Sequence, residues 1–369
     1  MKLLALDIQD FRNIAQASFA PSPRATILVG RNGQGKTNLL EAVYLLATLK
    51  PLRATRLAEL VRFGQPMAKV AADFDSPGGT RRIAVEVVSG GRTAYLDGKP
   101  QDRPEAYFDG LAAVCFSPDD LLLVKSGPEG RRRFLDRAAF NRWPAVLSEV
   151  REYLRALRSR NAALRTGSDD VEASFRGPLA RTGARLVLRR REVVIELAAR
   201  LSQAYSEISG PGAPAASLTY QPAAGLSAAA PSSEVEASLA SVLASRLTRD
   251  RERGYTSAGP HMDDLALTLD GRAARVFASQ GQQRALILAL KIAEIENLRA
   301  MQGQPPLLLL DDVSSELDPE KNRYLLEYLS RLSGQAFLTA TDHRLLEPAA
   351  GPDSLFVDVE EGRLSVRYS

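Results

Sequence analysis

Short apolar and alternating runs organise the first third of the chain. Leu3–Ile8, Thr26–Val29, Ala68–Phe74, Arg82–Val88, Thr93–Leu96 and Ala112–Phe116 read as strands, and Asp97-Gly98 behind Leu96 supplies a turn. From about Arg131 the period changes. Leu147, Val150, Leu154, Leu157 and Leu164 recur at helical spacing, and after the polar break at 167–170 so do Val187, Val194, Leu197, Leu201, Tyr205 and Ile208. Two long amphipathic helices joined by a short polar turn predict an antiparallel helical hairpin. Residues 210–233, rich in Ala, Pro, Ser and Gly, predict an exposed, flexible loop. Beyond it, Leu265–Leu269 and Ala274–Phe277 flank Asp270-Gly271 as a predicted hairpin of two strands. A helix over Gln283–Met301, a strand over Leu307–Leu310, a helix over Glu320–Ser333 and strands over Ala336–Thr339 and Leu355–Val359 complete the pattern. No internal repeat is visible.

Sheet at both ends with helix between them predicts one α/β domain split in sequence. Residues 1–118 and 305–369 form it, and a mainly helical second domain with short antiparallel arms, 119–304, is inserted. A length of 369 residues accommodates both, and 45% apolar with 25% charged residues is a globular balance. Cys115 is the single cysteine, so no intrachain disulfide forms and a reducing compartment is expected. The N-terminus meets charge at once, and no apolar run is long enough to span a bilayer. A cytoplasmic protein without membrane contact is expected. The net charge of +4 is mildly basic and by itself selects no partner.

One segment carries defined chemistry. Gly30-Arg31-Asn32-Gly33-Gln34-Gly35-Lys36-Thr37 matches G-x-x-x-x-G-K-[ST], with an apolar strand before it and a predicted helix Asn38–Ala47 after it. Glycines let backbone N–H groups close around phosphate oxygens, and the helix N-terminus favours the negative charge. Lys36 is expected on the β- and γ-phosphates of ATP and the Thr37 hydroxyl on Mg2+, with Asn38 beside them. Leu307–Leu310 is an apolar strand that ends in Asp311 and Asp312. It delivers Asp311 toward the metal and Asp312, as candidate general base, toward the γ-phosphate and its attacking water.

Two further segments narrow the class. Ser279-Gln280-Gly281-Gln282-Gln283 opens a helix, and Ser315 and Asp318 follow the aspartate strand. A serine and a glycine at a helix N-terminus make an anion site, although a plain helix cap has the same residues. Since the chain already has a loop for its own phosphates, a second site suits the nucleotide of another copy. This arrangement resembles the ABC ATPases, in which two subunits enclose two ATP molecules. Leu6–Asn13 and Arg31–Ala42 then look like the SMC-type branch. Phe116-Ser117-Pro118-Asp119-Asp120-Leu121, Lys125–Pro128, Arg131–Asp136, Ser159-Arg160-Asn161 and Gly259–Leu265 resemble the RecF family of bacterial recombination mediators, over nearly the whole chain. The resemblance implies ATP-dependent homodimerisation and binding of double-stranded and gapped DNA. It also implies slow DNA-stimulated ATP hydrolysis, partnership with RecR in assisting RecA loading, and a place at the nucleoid. It assigns Ser279 to Gln282 to a signature acting in trans, Ser315 and Asp318 to a loop at the dimer interface, and Arg12 to the nucleotide.

The chain departs from the broader ABC pattern in three places. Asp312 replaces the usual glutamate, which predicts slow turnover suited to a switch. Ser117–Asp120 stand where a glutamine is expected. Thr341 stands where a switch histidine is expected, with His343 two residues on. Lys50, Arg53, Arg56 and the cluster Arg131, Arg132, Arg133 are candidate DNA ligands, since phosphate contacts need only positive charge in reach. The 189–191 cluster reads better as a solvated helix face, because Glu192 and Glu196 stand beside it. An ABC transporter ATPase subunit and a P-loop kinase are the alternatives. The first lacks its switch histidine here, and the second leaves Ser279–Gln283 unexplained.

Overall fold

The computed structural model describes every residue except 1, 54–55, 77–78, 103–106, 109–110, 168, 224–225, 228–229, 314–316, 347–350, 352 and 368–369. The chain divides into two compact units, residues 1–121 with 294–369 and residues 122–293. The sequence placed these boundaries after 118 and before 305; the second falls instead inside a long helix, where no composition shift marks it.

The first unit holds two six-stranded sheets. One is antiparallel, with β1 (Lys2–Phe11), β2 (Ile14–Phe19), β4 (Met67–Ser76), β5 (Gly79–Val88), β6 (Gly91–Leu96) and β7 (Lys99–Pro100) in the order β2-β1-β4-β5-β6-β7. The other contains β3 (Ala25–Val29), β8 (Ala113–Phe116), β12 (Leu307–Leu310), β13 (Ala336–Ala340), β14 (Leu355–Glu360) and β15 (Arg363–Arg367), ordered β15-β14-β3-β13-β12-β8. Its strands are parallel except for the β14–β15 hairpin. All four residues of β12 are buried, as a parallel strand covered on both faces requires. Helix α1 (Lys36–Thr48) packs on β1, β4 and β5 of one sheet and on β8 and β13 of the other. It is therefore buried almost all round, which explains its weak amphipathic pattern.

Register positions the chemistry. Val29 pairs with Ala340 across β3 and β13, and Leu310 pairs with Leu338 across β12 and β13. The phosphate loop after β3 and the aspartates after β12 thus leave the same carboxyl edge, one strand apart, where open α/β sheets bind ligands.

The second unit is built on the helical hairpin. α2 (Leu122–Lys125) and α3 (Pro128–Arg142) lead into α4 (Val146–Thr166) and α5 (Asp169–Ser209), which turn at Gly167 with φ 72°. α6 (Val235–Ser245) closes a core of Tyr153, Leu157, Leu179, Ala180, Leu186, Leu239 and Leu243. Beneath it Arg160, fully buried, donates to Glu172 Oε1 at 2.7 Å, to Asp250 Oδ2 and Thr256 Oγ1 at 2.8 Å each, and to the Leu243 carbonyl. Asp250 lies on α7 (Leu247–Arg253).

Two sequence expectations are corrected here. The 210–233 stretch is not all loop: β9 (Ala216–Gln221) pairs antiparallel with β10 (Asp264–Leu269) and buries Ala216, Leu218 and Tyr220 in alternation. Its flanking Pro, Ala and Gly residues hid a short strand. The strand that returns from Asp270-Gly271 to pair with β10 is β11 (Arg272–Ala273), and the predicted strand Ala274–Phe277 instead forms a single helical turn, α8. Ala274 is buried while Val276 and Phe277 are exposed, so these apolar side chains do not mark a sheet face.

Candidate functional site

The loop between β3 and α1 is shaped by backbone demands that only glycine meets. Gly33 and Gly35 have φ of 82° and 116°, and a Cβ on Gly35 would meet the Asn13 side chain. Gly30 lies so close to β14 that a Cβ would collide with the Val359 carbonyl oxygen. Gln34 faces away from the cleft. Its carbonyl accepts from Asn13 Nδ2 at 3.0 Å and from Gly362 N at 2.8 Å, and its Oε1 accepts from Glu361 N at 2.7 Å. Asn38 Nδ2 donates to Asn13 Oδ1 at 2.8 Å, so Asn13 clamps both ends of the loop. Gly30 and Gln34, expected as nucleotide contacts, are not among the residues that line the cleft. Asn32, Gly33, Gly35, Lys36, Thr37 and Asn38 line the cleft itself.

That cleft has a volume of about 310 Å³ and is closed by Arg53, Pro118, Asp311, Asp312 and Thr339. Lys36 Nζ donates to the loop carbonyls of Gly30 at 2.5 Å and Arg31 at 3.0 Å. Burial pushes the Lys36 ammonium below its ordinary value, against an opposing pull from Asp312 and Asp311. Asp311, 1% exposed, accepts from Thr37 Oγ1 at 2.8 Å and Thr339 Oγ1 at 3.2 Å on Oδ1, and from Arg53 at 2.5 Å on Oδ2. Asp312 has a left-handed backbone, φ 49°, and its N–H donates to Thr339 Oγ1 at 2.8 Å. One threonine hydroxyl therefore orients both aspartates. Thr339 was missed in the sequence, where it reads as an ordinary strand residue.

Thr37 and Asp311 bring two oxygen ligands together, as a magnesium site requires. Among the described residues no group of three or more His, Cys, Asp or Glu is arranged to hold a metal alone. A magnesium ion here would draw its remaining ligands from phosphate oxygens and water, which matches that ion's habit. The donor set fits the group.

Comparison with known proteins supplies the context. The sequence matches the family model described as RecF/RecN/SMC N terminal domain over residues 2–362. It is 71% identical to the DNA replication and repair protein RecF of Anaeromyxobacter sp. (strain Fw109-5), over 99% of each chain. It is 54% identical to that of Myxococcus xanthus (strain DK1622), over 100% of this chain and 98% of the other. The chain belongs to the RecF family. A solved structure of the recombination mediator protein RecF with ATP, in the RecFOR pathway, superposes with a TM-score of 0.87 at 28% identity, covering 99% of each chain. The Smc head domain of Pyrococcus furiosus shares the fold, with a TM-score of 0.57 at 15% identity. The ABC-type ATPase head with an inserted helical second domain is thus the architecture of this RecF-family chain.

The remaining RecF-like positions fall in varied settings. Ser279 and Gln282 form a reciprocal cap at the start of α9 (Gln280–Gln302). Gln282 N donates to Ser279 Oγ at 3.2 Å, and Ser279 N donates to Gln282 Oε1 at 2.9 Å. Ser279 and Gln280 are exposed, Gly281 half-buried. Ser315 lies outside the described residues. Asp318 caps α10 (Pro319–Arg331), accepting from Lys321 N at 3.0 Å. Thr341 is exposed and does not line the cleft. Arg12, also with a left-handed backbone, pairs with the buried Glu41 at 2.8 Å and donates to the Glu59 carbonyl, so it too stays out of the cleft. Glu41 Oε1 in turn accepts from Leu52 N and Arg53 N at 3.0 Å each, which ties the Arg53 segment to α1.

The candidate DNA ligands separate in the same way. Lys50 and Arg56 are exposed. Arg53 is exposed as well, but it lines the cleft and pairs with Asp311. Arg131 is buried, forking onto Asp264 at 2.6 and 2.8 Å and donating to the carbonyls of Leu123 and Ser126, so it is unfit to meet DNA. Arg132 donates to the Asp263 carbonyl, and exposed Arg133 pairs with Glu129. In the 189–191 cluster Arg190 is buried against Asp136 and the Pro260 carbonyl, which differs from the expected solvated face.

Proposed function

We propose that this protein is an ATP-dependent DNA-binding switch of recombinational repair, dimerising on ATP·Mg2+ and hydrolysing it slowly. The observation that carries the reading is the Thr37–Asp311–Thr339–Asp312 hydrogen-bonded series facing the Lys36 loop across one cleft. Lys36, Thr37 and the N–H groups of Gly33 and Gly35 would hold the triphosphate, and Thr37 with Asp311 the magnesium, which when bound neutralises charge on the phosphate oxygens. Asp312, fixed by Thr339, would accept the proton of the attacking water. A carboxylate one methylene shorter than glutamate reaches less far, which suits slow turnover.

The dimer part of the reading rests on Ser279 and its neighbours. The Ser279 cap leaves its N-terminal helix end exposed, and the adjoining Val276 and Phe277 are 70% and 66% exposed. Two large apolar side chains beside an anion-ready helix start suit a surface covered by a second copy around its nucleotide. The family relationship adds double-stranded or gapped DNA, and RecR, as partners. Relatives that cover the whole chain leave the transporter and kinase alternatives without support. Phosphate release by the purified protein with ATP·Mg2+, with and without duplex, tests the reading. Slow basal release that duplex accelerates is expected; release indifferent to duplex would defeat the switch.

A further inference from the structure

The solvent face of α4 carries arginines that no structural role accounts for. Arg151, Arg155, Arg158 and Arg165 are all exposed, whereas Tyr153, Leu157, Arg160, Ala163 and Leu164 on the opposite side are buried. At 3.6 residues per turn these four arginines fall within an arc of about 80° and along about 21 Å of helix axis. The position that completes their four–three spacing is Ala162, which is exposed and uncharged.

None of the four makes a hydrogen bond or ion pair among the described residues. Several arginines elsewhere in the chain are paired. Arg82 has Asp7 and Asp73, Arg142 has Glu192 and Glu196, Arg176 has Glu172, and Arg185 has Glu152, the acidic residue that α4 exposes next to the stripe. Like charges four and three residues apart on a helix repel. Arg151–Arg155 and Arg155–Arg158 therefore cost stability where one glutamate would relieve both. The helix α7 packs against α4 and extends the positive surface with exposed Arg249 and Arg253. A Cβ on its capping Gly254 would lie 3.2 Å from Arg165 Cγ, so the two sets adjoin. Glu252 is the exposed carboxylate of α7, Asp250 being buried against Arg160.

We propose that this stripe is a binding surface for the sugar–phosphate backbone of duplex DNA, a surface distinct from the sequence-derived candidates around Lys50 and Arg131. It rests on the DNA-binding reading above and assigns that reading a place. A backbone presents one phosphate per about 3.4 Å of axis along each strand, so a line of about 21 Å spans about six phosphates. Guanidinium groups neutralise phosphates without reading bases, so the surface takes any sequence. α4 exposes no aromatic side chain, its one aromatic Tyr153 being buried, so unstacked bases find no platform there. An anionic bilayer fits less well, because the apolar side of α4 is spent on the unit's own core.

The test is fluorescence anisotropy of the full-length protein with a labelled duplex and ATP·Mg2+, titrated across salt concentrations. Arg155→Gln and Arg158→Gln keep the aliphatic stems, so folding is preserved. Each phosphate contact contributes about 0.9 to the slope of log affinity against log salt. Each substitution should therefore flatten the slope by about that amount and weaken binding about eightfold at 0.1 M salt. The fourfold variant of Arg151, Arg155, Arg158 and Arg165 should flatten it by about 3–4. Arg331→Gln, whose arginine pairs with Glu327, should leave the slope unchanged. Wild-type slopes in the stripe variants would overturn the stripe while leaving the DNA-binding reading intact. A wild type that binds no duplex would overturn both. Binding confined to single strands, or to vesicles of phosphatidylserine and phosphatidylcholine, would overturn the duplex assignment.

Discussion

Replacing Thr339 by valine keeps the shape of a buried strand residue and removes one hydroxyl. That hydroxyl accepts from Asp312 N at 2.8 Å and donates to Asp311 at 3.2 Å, at 2% exposure. A neutral hydrogen bond is worth about 1 kcal/mol and one to a carboxylate about 1.5–3 kcal/mol; with the second bond long, the loss is about 2–3 kcal/mol. Asp312 holds a left-handed backbone that costs about 1–2 kcal/mol in a non-glycine residue, so without the hydroxyl it is free to relax out of place. For a unit of this size that loss lowers the thermal midpoint by about 5–10 °C. The phosphate loop and Lys36 are untouched, so ATP affinity by calorimetric titration should hold within about threefold while turnover falls about 10- to 100-fold, a barrier rise of about 1.4–2.7 kcal/mol. Thr339→Ser should restore both. Wild-type turnover and midpoint in Thr339→Val would refute the role of this hydroxyl.

Asp318→Ala should lose the α10 cap and about 1 kcal/mol, while Asp318→Asn keeps it. Hydrogen bonding from Lys321 holds the Asp318 carboxyl below its usual range. Its contribution is therefore complete above the ordinary value near pH 4 and disappears as pH falls through the lowered one, so melts of wild type and alanine variant should converge in acid; a constant gap would contradict this. Lys36→Met should abolish tight ATP binding. Because burial lowers the Lys36 value and bound phosphates would raise it again, ATP affinity should fall with rising pH through the lowered value, with proton uptake on binding. Equal uptake by the methionine variant would exclude Lys36 as its source. Arg160→Met leaves Asp250 buried without its cation, and Glu172 with Arg176 alone, at about 3–5 kcal/mol, so urea unfolding followed by the fluorescence of Trp143, the only tryptophan, should shift well below wild type. An unchanged midpoint would contradict the role of Arg160 in holding this buried cluster together.

The phosphate loop was legible because its requirements are contiguous: glycines, lysine and threonine at fixed spacing between a strand and a helix. The aspartate strand was legible too, since four buried leucines followed by two carboxylates form one local pattern. What brings them together is not local. Thr37 and Asp311 are 274 residues apart in the chain, and only the parallel pairing of β3, β13 and β12 sets them on one edge. Thr339 was hidden because a buried threonine in an apolar strand looks like core, and the register expectation pointed two residues further, to Thr341. The settings of Arg12 and Arg131 were hidden for a shared reason. A run of sequence shows that an arginine is present but not that Glu41 or Asp264 waits across the fold to bury it. The α4 stripe escaped notice because its arginines are spread over four turns, and only the helix brings them onto one exposed face without partners.

The central claim is that ATP joins two copies through Lys36 of one and Ser279 of the other. Sedimentation velocity of wild type, Asp312→Asn and Ser279→Arg, each with and without ATP·Mg2+, tests it most directly. Wild type should sediment as a monomer alone and as a dimer with ATP·Mg2+. Asp312→Asn, whose amide tolerates the left-handed backbone, should remain a dimer as long as nucleotide is present. Ser279→Arg should bind ATP and stay monomeric. A Ser279→Arg protein that dimerises like wild type, or a wild type that binds ATP without changing its sedimentation, would contradict the account.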